Sequence, residues 1–332
     1  MRTEISSLGE FGLIRRLTEG IELKNESSKY GVGDDAAVLS YPTEKQVLIT
    51  TDLLMEGVHF DLIYVPLKHL GYKAAVVNFS DIYAMNGTPK QITVSLALSK
   101  RFSVEDMEEL YAGIRLACEE YDVDIVGGDT SSSLTGLAIS ITCIGEADKD
   151  KVIYRNGAKE TDLVCVTGDL GAAYMGLQLL EREKVALKGK TDVQPDFSGK
   201  EYLLERQLKP EARRDIIKKL AEEGIQPTSM MDISDGIASD LRHILHRSGV
   251  GAEVDTECIP TPVDLETAVS GGEDYKLLFT VAPESADTLL SDYRLRFGDG
   301  FHFIGRITGD NRLEWLRNGT PLPVDWQGFR HY

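Results

Sequence analysis

The fold class is decided by residues 67–98, which read LKHLGYKAAVVNFSDIYAMNGTPKQITVSLAL. Apolar residues recur in the first part at helical spacing, at Leu70, Ala74, Val77 and Ala84, which predicts a helix over 67–85. The last part, from Gln91 to Leu98, alternates as a strand does. Strands alternate with helices in both halves of the chain, which predicts an α/β fold built as α+β layers.

The remaining elements extend outward from this stretch. The charged run DKDK at 148–151 predicts a surface boundary between domains at 1–148 and 149–332, and two domains suit 332 residues. The other predicted helices cover 1–20, 103–121 (capped by Ser103), 172–183, 210–220 (begun by Pro210) and 239–248. The other predicted strands cover 47–51, 137–145, 163–167, 275–281 and 301–307, with a Gly-Gly turn after Ile125–Val126 and an irregular loop at 184–200.

Composition excludes several classes of function. The 36 basic and 54 acidic residues give a net charge of −18, which argues against binding to nucleic acid or to anionic lipid. The excess favours solubility, and part of it suits a metal site. No signal segment or membrane span is expected. Cys118, Cys143 and Cys165 lie in apolar runs and Cys258 does not, and none has zinc-site spacing, so we expect free thiols in a cytoplasmic protein.

Acidic residues lie beside glycines or at the ends of predicted elements. Mg²⁺ takes oxygen ligands, and several carboxylates from separate segments would hold several ions. Taken alone, Asp34–Asp35, Asp129 and Asp235 are each more often solvated turn residues or helix caps than ligands. Asp81 is different, because it lies within an apolar helix where an unpaired charge is costly. The acidic positions are Asp34, Asp35, Asp52, Asp81, Asp129, Asp232, Asp235, Glu273 and Asp274.

Common phosphate-binding and hydrolase motifs are missing. Gly189-Lys190-Thr191 resembles the end of a P-loop, but Lys184 stands where the first glycine is required. The protein-kinase motifs, a Rossmann G-x-G-x-x-G and a G-x-S-x-G nucleophile elbow are also absent.

Ten segments in order resemble the thiamine-monophosphate kinase family, within the superfamily of aminoimidazole ribonucleotide synthetase and selenophosphate synthetase. They are GEFGLI (9–14), GVGDDAAV (31–38), TTDLLMEGVHF (50–60), YKAAVVNFSDIYAM (72–85), GGDT (127–130), YRNGAK (154–159), VTGDLGAA (166–173), MDISDGIASDL (231–241), SGGEDYKLLF (270–279) and WQGF (326–329).

The resemblance implies ATP-dependent phosphorylation of thiamine monophosphate to thiamine diphosphate by in-line transfer, with several Mg²⁺ ions and no dedicated side-chain nucleophile or base. It also implies a homodimer in which the N-terminal sheets complete a barrel, while the C-terminal domain closes over the site. The implied metal ligands are Asp35, Thr50, Thr51, Asp52, Asp81, Asp129, Asp232 and Asp235. The implied ATP contacts are Gly128, Asp129, Arg155, Ser234 and Tyr111, and the implied contacts to thiamine monophosphate are His59, Glu273 and Phe329.

Several alternatives remain open. Tyr111 fits a core aromatic on a helix face equally well, and an isolated histidine such as His59 is more often a surface residue. Phe329 stands where related sequences can carry tyrosine. Another ATP-using synthetase of the superfamily is an alternative, although residues 1–30 lack the cysteine of a selenophosphate synthetase. A non-catalytic MgATP-binding scaffold is the alternative from another class.

Overall fold

A computed structural model describes residues 3–33, 36–187, 197–285 and 300–329. The chain divides into two compact units. The first unit comprises Met1–Ile82 with Gly87–Asp150, and the second comprises Tyr83–Asn86 with Lys151–Tyr332. None of the helices in the described ranges combines the length and the hydrophobicity that a bilayer-spanning segment requires.

The first unit is built on a four-stranded sheet. Its strands lie in the order β3-β6-β4-β5, and only the β4–β5 pair is parallel. A separate two-stranded hairpin, β1–β2, precedes the sheet. The strands are β1 (Ser28–Tyr30), β2 (Val38–Leu39), β3 (Lys45–Met55), β4 (Thr88–Leu98), β5 (Asp124–Ser132) and β6 (Ala138–Asp148). The helices are α1 (Ile5–Thr18), α2 (Leu67–Ala84) and α3 (Val104–Tyr121).

Helix α2 packs on one face of this sheet and α3 packs against α2. Ile82 lies so close to Gly145 of β6 that a Cβ there would meet its Cγ2 at 2.5 Å. Gly71 of α2 and Gly113 of α3 let the two helix backbones approach, because a Cβ at either would lie within 2.0 Å of a carbonyl oxygen of the other helix. Ser103 and Asp106 form the capping box that begins α3, as the sequence predicts.

The second unit is built on a seven-stranded, mostly antiparallel sheet among the described residues. Its order is β13-β12-β9-β11-β7-β10-β8, with β12 and β9 parallel. The strands are β7 (Leu163–Thr167), β8 (Ser229–Asp232), β9 (Gly251–Asp255), β10 (Leu277–Val281), β11 (Phe301–Thr308), β12 (Leu313–Arg317) and β13 (Thr320–Pro321). The helices are α4 (Ala172–Leu187), α5 (Glu201–Leu208), α6 (Arg214–Glu222), α7 (Ile237–Ser248) and α8 (Leu265–Ser270). Helices α7 and α8 and the sheet enclose a core with Trp315.

Three local predictions are wrong. The Gly-Gly turn after Val126 is instead the middle of β5, because residues 127–132 continue to pair with β4. The helix predicted to begin at Pro210 begins at Arg214, after a shorter helix, α5, that the sequence pattern did not reveal. The predicted loop at 184–200 is helical up to Leu187, and its part at 188–196 lies outside the described residues.

Candidate active site

Thr50, Asp52 and Asp81 come together in the first unit. The Thr50 hydroxyl donates a hydrogen bond to Asp81 Oδ2, which joins β3 to α2. Thr50 and Asp52 are two residues apart on a strand, so both side chains face the helices. Burial, and then the charge of Asp81, raise the pKa of Asp52 from 3.8 to about 7. The carboxylates of Asp52 and Asp81 therefore repel each other where water only partly screens their charges.

Thr51 and Asp129 lie on the opposite face of the same sheet. The Thr51 hydroxyl donates to the Ile141 carbonyl oxygen at 3.1 Å and accepts from Thr142 at 3.2 Å. Asp129 of β5 is exposed, and the cross-strand register aligns it with Leu53, the neighbour of Asp52. The structure therefore does not bring either side chain to the Asp52–Asp81 pair, and Asp35 lies outside the described residues.

Gly128 lies close to the backbone of the neighbouring strand β4. A Cβ at Gly128 would lie 2.0 Å from the Val94 carbonyl oxygen, whereas one at Gly127 would meet nothing closer than Thr93 Cγ2 at 3.7 Å. Beyond Asp129, a cavity of about 630 Å³ is lined by Thr130–Ser132 and by residues of α1 that include Gly9 and Leu13. Its volume lies in the range of small-molecule sites.

His59 and Tyr111 occupy contrasting environments. The Met55 backbone N–H donates to His59 Nδ1 at 3.0 Å, so the neutral imidazole carries its proton on Nε2. Tyr111 is buried in α3, and this burial raises the pKa of its hydroxyl to about 12. The burial of Tyr111 matches the alternative in which it is a core aromatic on a helix face.

Three segments of the second unit are joined by backbone hydrogen bonds. The Glu273 N–H donates to the Ser234 carbonyl oxygen, and the Phe329 N–H donates to the Asp235 carbonyl oxygen, both at 2.8 Å. The Tyr275 N–H donates to Ile233 at 2.9 Å. Ser234, Asp235, Glu273 and Phe329 are thereby brought together.

Backbone conformation gives these segments their shape. Glu273 and Tyr275 have φ angles of +66° and +49°, which non-glycine residues rarely adopt. Gly272 allows a close approach, because a Cβ there would lie 2.4 Å from the Ser234 carbonyl oxygen. Trp326 packs edge-on against Trp315 at 5.3 Å, so Phe329 is the exposed aromatic of WQGF.

Asp240 is a further buried carboxylate that the sequence analysis missed. Its Oδ2 accepts the Asp235 N–H at 3.2 Å, and its Oδ1 has no hydrogen-bond partner among the described residues. Burial, and then the charges of Asp232 and Asp235, raise its pKa to about 8, while Arg155 acts in the opposite direction. Asp240 follows Asp235 by five residues, and this spacing at a helix start was the available signal.

Gln207 is a second residue that the sequence analysis missed. It is buried in α5, and its Nε2 donates to Glu273 Oε2 at 2.8 Å. The bond fixes a carboxylate that the resemblance assigns to substrate contact. No motif includes Gln207, so only the tertiary structure reveals it.

The carboxylate and hydroxyl oxygens of Asp52, Asp81 and Thr50 are of the kind that Mg²⁺ prefers as ligands. Among the described residues, no three His, Cys, Asp or Glu side chains form a metal site by themselves. Mg²⁺ in phosphoryl-transfer sites commonly takes one or two carboxylates and completes its shell with phosphate oxygens and water. The repelling pair Asp52–Asp81, with the Thr50 hydroxyl beside it, matches this requirement.

Comparison with known proteins places both units in one family. Residues 33–147 match the N-terminal domain, and residues 159–316 the C-terminal domain, of AIR synthase related proteins. The thiamine-monophosphate kinase of Aquifex aeolicus (strain VF5) is 38% identical over 91% of this chain and 96% of its own length.

Solved structures agree. A structure described as AaThiL complexed with AMPPCP and TMP is 33% identical, with a TM-score of 0.73, over 100% of this chain and 99% of its own. The thiamine-monophosphate kinase of Stenotrophomonas maltophilia K279a is 29% identical, with a TM-score of 0.77, over 93% of this chain and 95% of its own. The mixed α/β two-domain architecture is thus confirmed, and the chain belongs to the thiamine-monophosphate kinase family.

Proposed function

We propose that this chain transfers the terminal phosphoryl group of ATP to thiamine monophosphate, giving thiamine diphosphate and ADP. The substrates follow from family membership and from the relative solved with AMPPCP and TMP. The observation in this chain that carries the proposal is the Asp52–Asp81 pair, since two close carboxylates are stabilised by a cation between them and a phosphate.

Several Mg²⁺ ions belong to this proposal. Bound Mg²⁺ neutralises charge on the phosphate oxygens during transfer. We assign Thr50, Asp52 and Asp81 to one group of ligands, and Asp35, Asp129, Asp232 and Asp235 to other ions. The hydroxyl of Thr51 is engaged with the sheet, so we leave it out of the set.

Nucleotide contacts are proposed in both units. Gly128 and Asp129 directly precede Thr130–Ser132, which line the cavity of about 630 Å³, and a cavity of this volume suits part of a nucleotide. Arg155 and Ser234 are proposed to contact phosphate, because a guanidinium forms paired hydrogen bonds to phosphate oxygens. Tyr111 is left out because its ring is buried.

The thiamine moiety carries a cationic ring. The Glu273 carboxylate, held by Gln207, offers it an opposite charge, and the exposed Phe329 ring offers an aromatic face. His59, with its proton on Nε2, is proposed to donate to the acceptor phosphate. That phosphate is already ionised at neutral pH, so positioning and electrostatics suffice without a side-chain base or a phosphoenzyme.

A homodimer with a shared barrel is part of the proposal. Edge strand β3 exposes large apolar side chains at alternate positions, Val47, Ile49, Leu53 and Met55. A long apolar edge strand is an established feature of strand-pairing interfaces.

Ile49→Lys should therefore shift the chain from dimer to monomer in light scattering. Val185→Lys in the second unit is the matched control, since the two side chains are 70% and 71% exposed. A wild-type monomer would contradict the dimer.

A direct assay tests the activity. The full chain is incubated with ATP, MgCl₂ and thiamine monophosphate, and thiamine diphosphate and ADP are separated chromatographically. Equal amounts of both products are expected. ADP formation without thiamine diphosphate would favour another synthetase of the superfamily, and neither product would favour a nucleotide-binding scaffold.

A further inference from the structure

The turn that carries His59 is shaped by its own hydrogen bonds. The Gly57 N–H donates to the Phe60 carbonyl oxygen at 2.8 Å, and the His59 N–H donates to the Met55 carbonyl oxygen at 2.9 Å. The Met55 N–H in turn donates to His59 Nδ1 at 3.0 Å. All of these bonds lie within residues 55–60, so they set the shape of the turn and the angle of the ring within it. The position of the turn on the sheet depends on other contacts.

Glu56 joins this turn twice to the neighbouring strand β6. Its backbone N–H donates to the Leu137 carbonyl oxygen at 3.0 Å, which extends the pairing of β3 with β6 by one residue. Its side chain reaches the same residue, because Oε2 accepts the Leu137 N–H at 2.9 Å. In a regular antiparallel pair the second bond would go to a backbone carbonyl oxygen. The Glu56 carboxylate therefore takes the place of a backbone acceptor where the chain leaves the strand.

The other carboxylate oxygen of Glu56 meets a cation. Arg101, which follows β4, donates from Nη2 to Glu56 Oε1. Strand β6 lies between β3 and β4, so one carboxylate contacts groups at or just beyond the ends of three adjacent strands. The Glu56 side chain is 18% exposed and the Arg101 side chain 50%, so water screens this ion pair. The bond to the Leu137 N–H is the firmer of the two contacts.

Gly136 makes room for this carboxylate. A Cβ at residue 136 would lie 2.7 Å from Glu56 Oε2 and 3.3 Å from Glu56 Cδ, and its three nearest atoms all belong to that side chain. The φ angle of Gly136 lies outside the left-handed region, so the backbone accepts alanine without strain. Alanine at this position would therefore displace the end of the Glu56 side chain while leaving the backbone as it is.

We propose that Glu56 is a positioning residue for His59, whose turn it fixes on the sheet so that the ring presents its Nε2 proton to the acceptor phosphate. This role rests on the proposed function, in which His59 contacts the phosphate of thiamine monophosphate. Both carboxylate oxygens of Glu56 are engaged, and a carboxylate repels an anionic phosphate, so Glu56 acts through the turn and not on the substrate.

The ring resonances of His59 test this positioning without any substrate. Long-range ¹H–¹⁵N spectra of the full chain are recorded, and the His59 signals are identified as those missing from His59→Gln. In Glu56→Ala and in Gly136→Ala, we expect the ring nitrogen shifts of His59 to move toward those of free histidine. The reason is that a turn released from the sheet holds the bond from the Met55 N–H to Nδ1 less firmly.

Steady-state kinetics of the same variants tests the consequence for the substrate. Glu56→Ala should raise KM for thiamine monophosphate roughly tenfold and leave KM for ATP near the wild-type value, because a hydrogen bond to a charged group is lost. Gly136→Ala should act in the same direction and add nothing in the Glu56→Ala background, where the displaced atoms are gone. Glu146→Ala is the matched control and should change neither readout, since the Glu146 side chain is also 18% exposed and paired with a cation.

Unchanged ring shifts of His59 in Glu56→Ala would overturn the positioning role, because the ring would then keep its place without the carboxylate. Equal rises in both KM values would overturn it too, as would an undiminished effect of Glu56→Ala in the His59→Gln background, because Glu56 would then act on the fold and not through His59. If Glu56→Ala does not fold, Gly136→Ala is read by the same criteria. If the wild-type chain forms no thiamine diphosphate, the proposed function fails, while the ring shifts still decide whether Glu56 positions His59.

Discussion

The two units collect carboxylates in different ways. In the first unit, Asp52 and Asp81 lie on a regular strand and a regular helix, and Thr50 joins these elements through one side-chain hydrogen bond. In the second unit, Asp235 and Glu273 lie on irregular segments that backbone hydrogen bonds connect. Periodicity orients the first pair, whereas long-range backbone pairing orients the second group.

This difference has an energetic consequence. The fold does little to stabilise the charged form of the Asp52–Asp81 pair, because burial and the repulsion between the two carboxylates both disfavour that charge. Glu273 is instead held by Gln207 and by the Ser234 carbonyl oxygen. We therefore expect substitutions in the first unit to separate activity from stability, and substitutions around Glu273 to change substrate affinity.

The largest effect is expected for Asp52→Asn. Removal of one carboxylate from the pair should lower kcat by about 100-fold or more, because electrostatic stabilisation of the transferring group is lost. The same change should stabilise the metal-free fold, since it removes a repelling charge. Activity assays and urea unfolding are measured together. Normal turnover by the folded variant would remove Asp52 from the proposed ligands.

Gln207→Met should act on substrate affinity. Loss of a hydrogen bond to a carboxylate should raise KM for thiamine monophosphate roughly tenfold or more while leaving KM for ATP near the wild-type value. Steady-state kinetics with each substrate varied in turn measures the split. Equal changes in both KM values would show that Gln207 supports the fold generally and does not position Glu273.

Gly128→Ala tests the close approach of β5 to β4. Because its Cβ would overlap the Val94 carbonyl oxygen, we expect a loss of about 1–3 kcal/mol in unfolding free energy. Gly127→Ala is the matched control, since its Cβ would make an ordinary contact with Thr93. Chemical denaturation compares the two variants. Equal stabilities would mean that the strands separate at little cost.

The smallest effect concerns pH. The pKa of Asp52 is raised from 3.8 to about 7, so between these values the folded state binds more protons than the unfolded state. The contribution of Asp52 to stability is therefore present below pH 3.8 and lost as pH rises to about 7. Metal-free wild type should lose more Tm than Asp52→Asn between pH 5 and 7 in a differential scanning experiment. Parallel curves would indicate an unperturbed carboxyl.

Much of the fold could be predicted from local pattern. The spacing of Leu70, Ala74 and Val77 correctly predicts α2, and Ser103 with Asp106 correctly predicts the start of α3. The same reasoning failed at Gly127–Gly128, where glycines usually mark a turn. Pairing with β4 overrides that local preference, and Gly128 serves the contact between strands.

Individual side chains also differ in whether local sequence could predict their environment or role. Cys118, Cys143 and Cys165 are buried free thiols as predicted, because burial follows from their apolar runs. The metal-ligand assignments that the resemblance implies stay predictions. Gln207 depends on a distant partner, Glu273, and carries no local signal, so it could not be identified from sequence. Asp240 had only its spacing from Asp235 at a helix start as a signal.

The sequence by itself determined the α/β class, the family and the acidic segments, because helical and strand periodicity and ordered motifs are local properties of the chain. Only the tertiary structure decided which side chains meet. It turns Asp52 toward the helices and Thr51 to the other face, and it brings Gln207 of α5 to Glu273. The physical reason is that strand register and long-range backbone hydrogen bonds, which join residues far apart in sequence, set those positions.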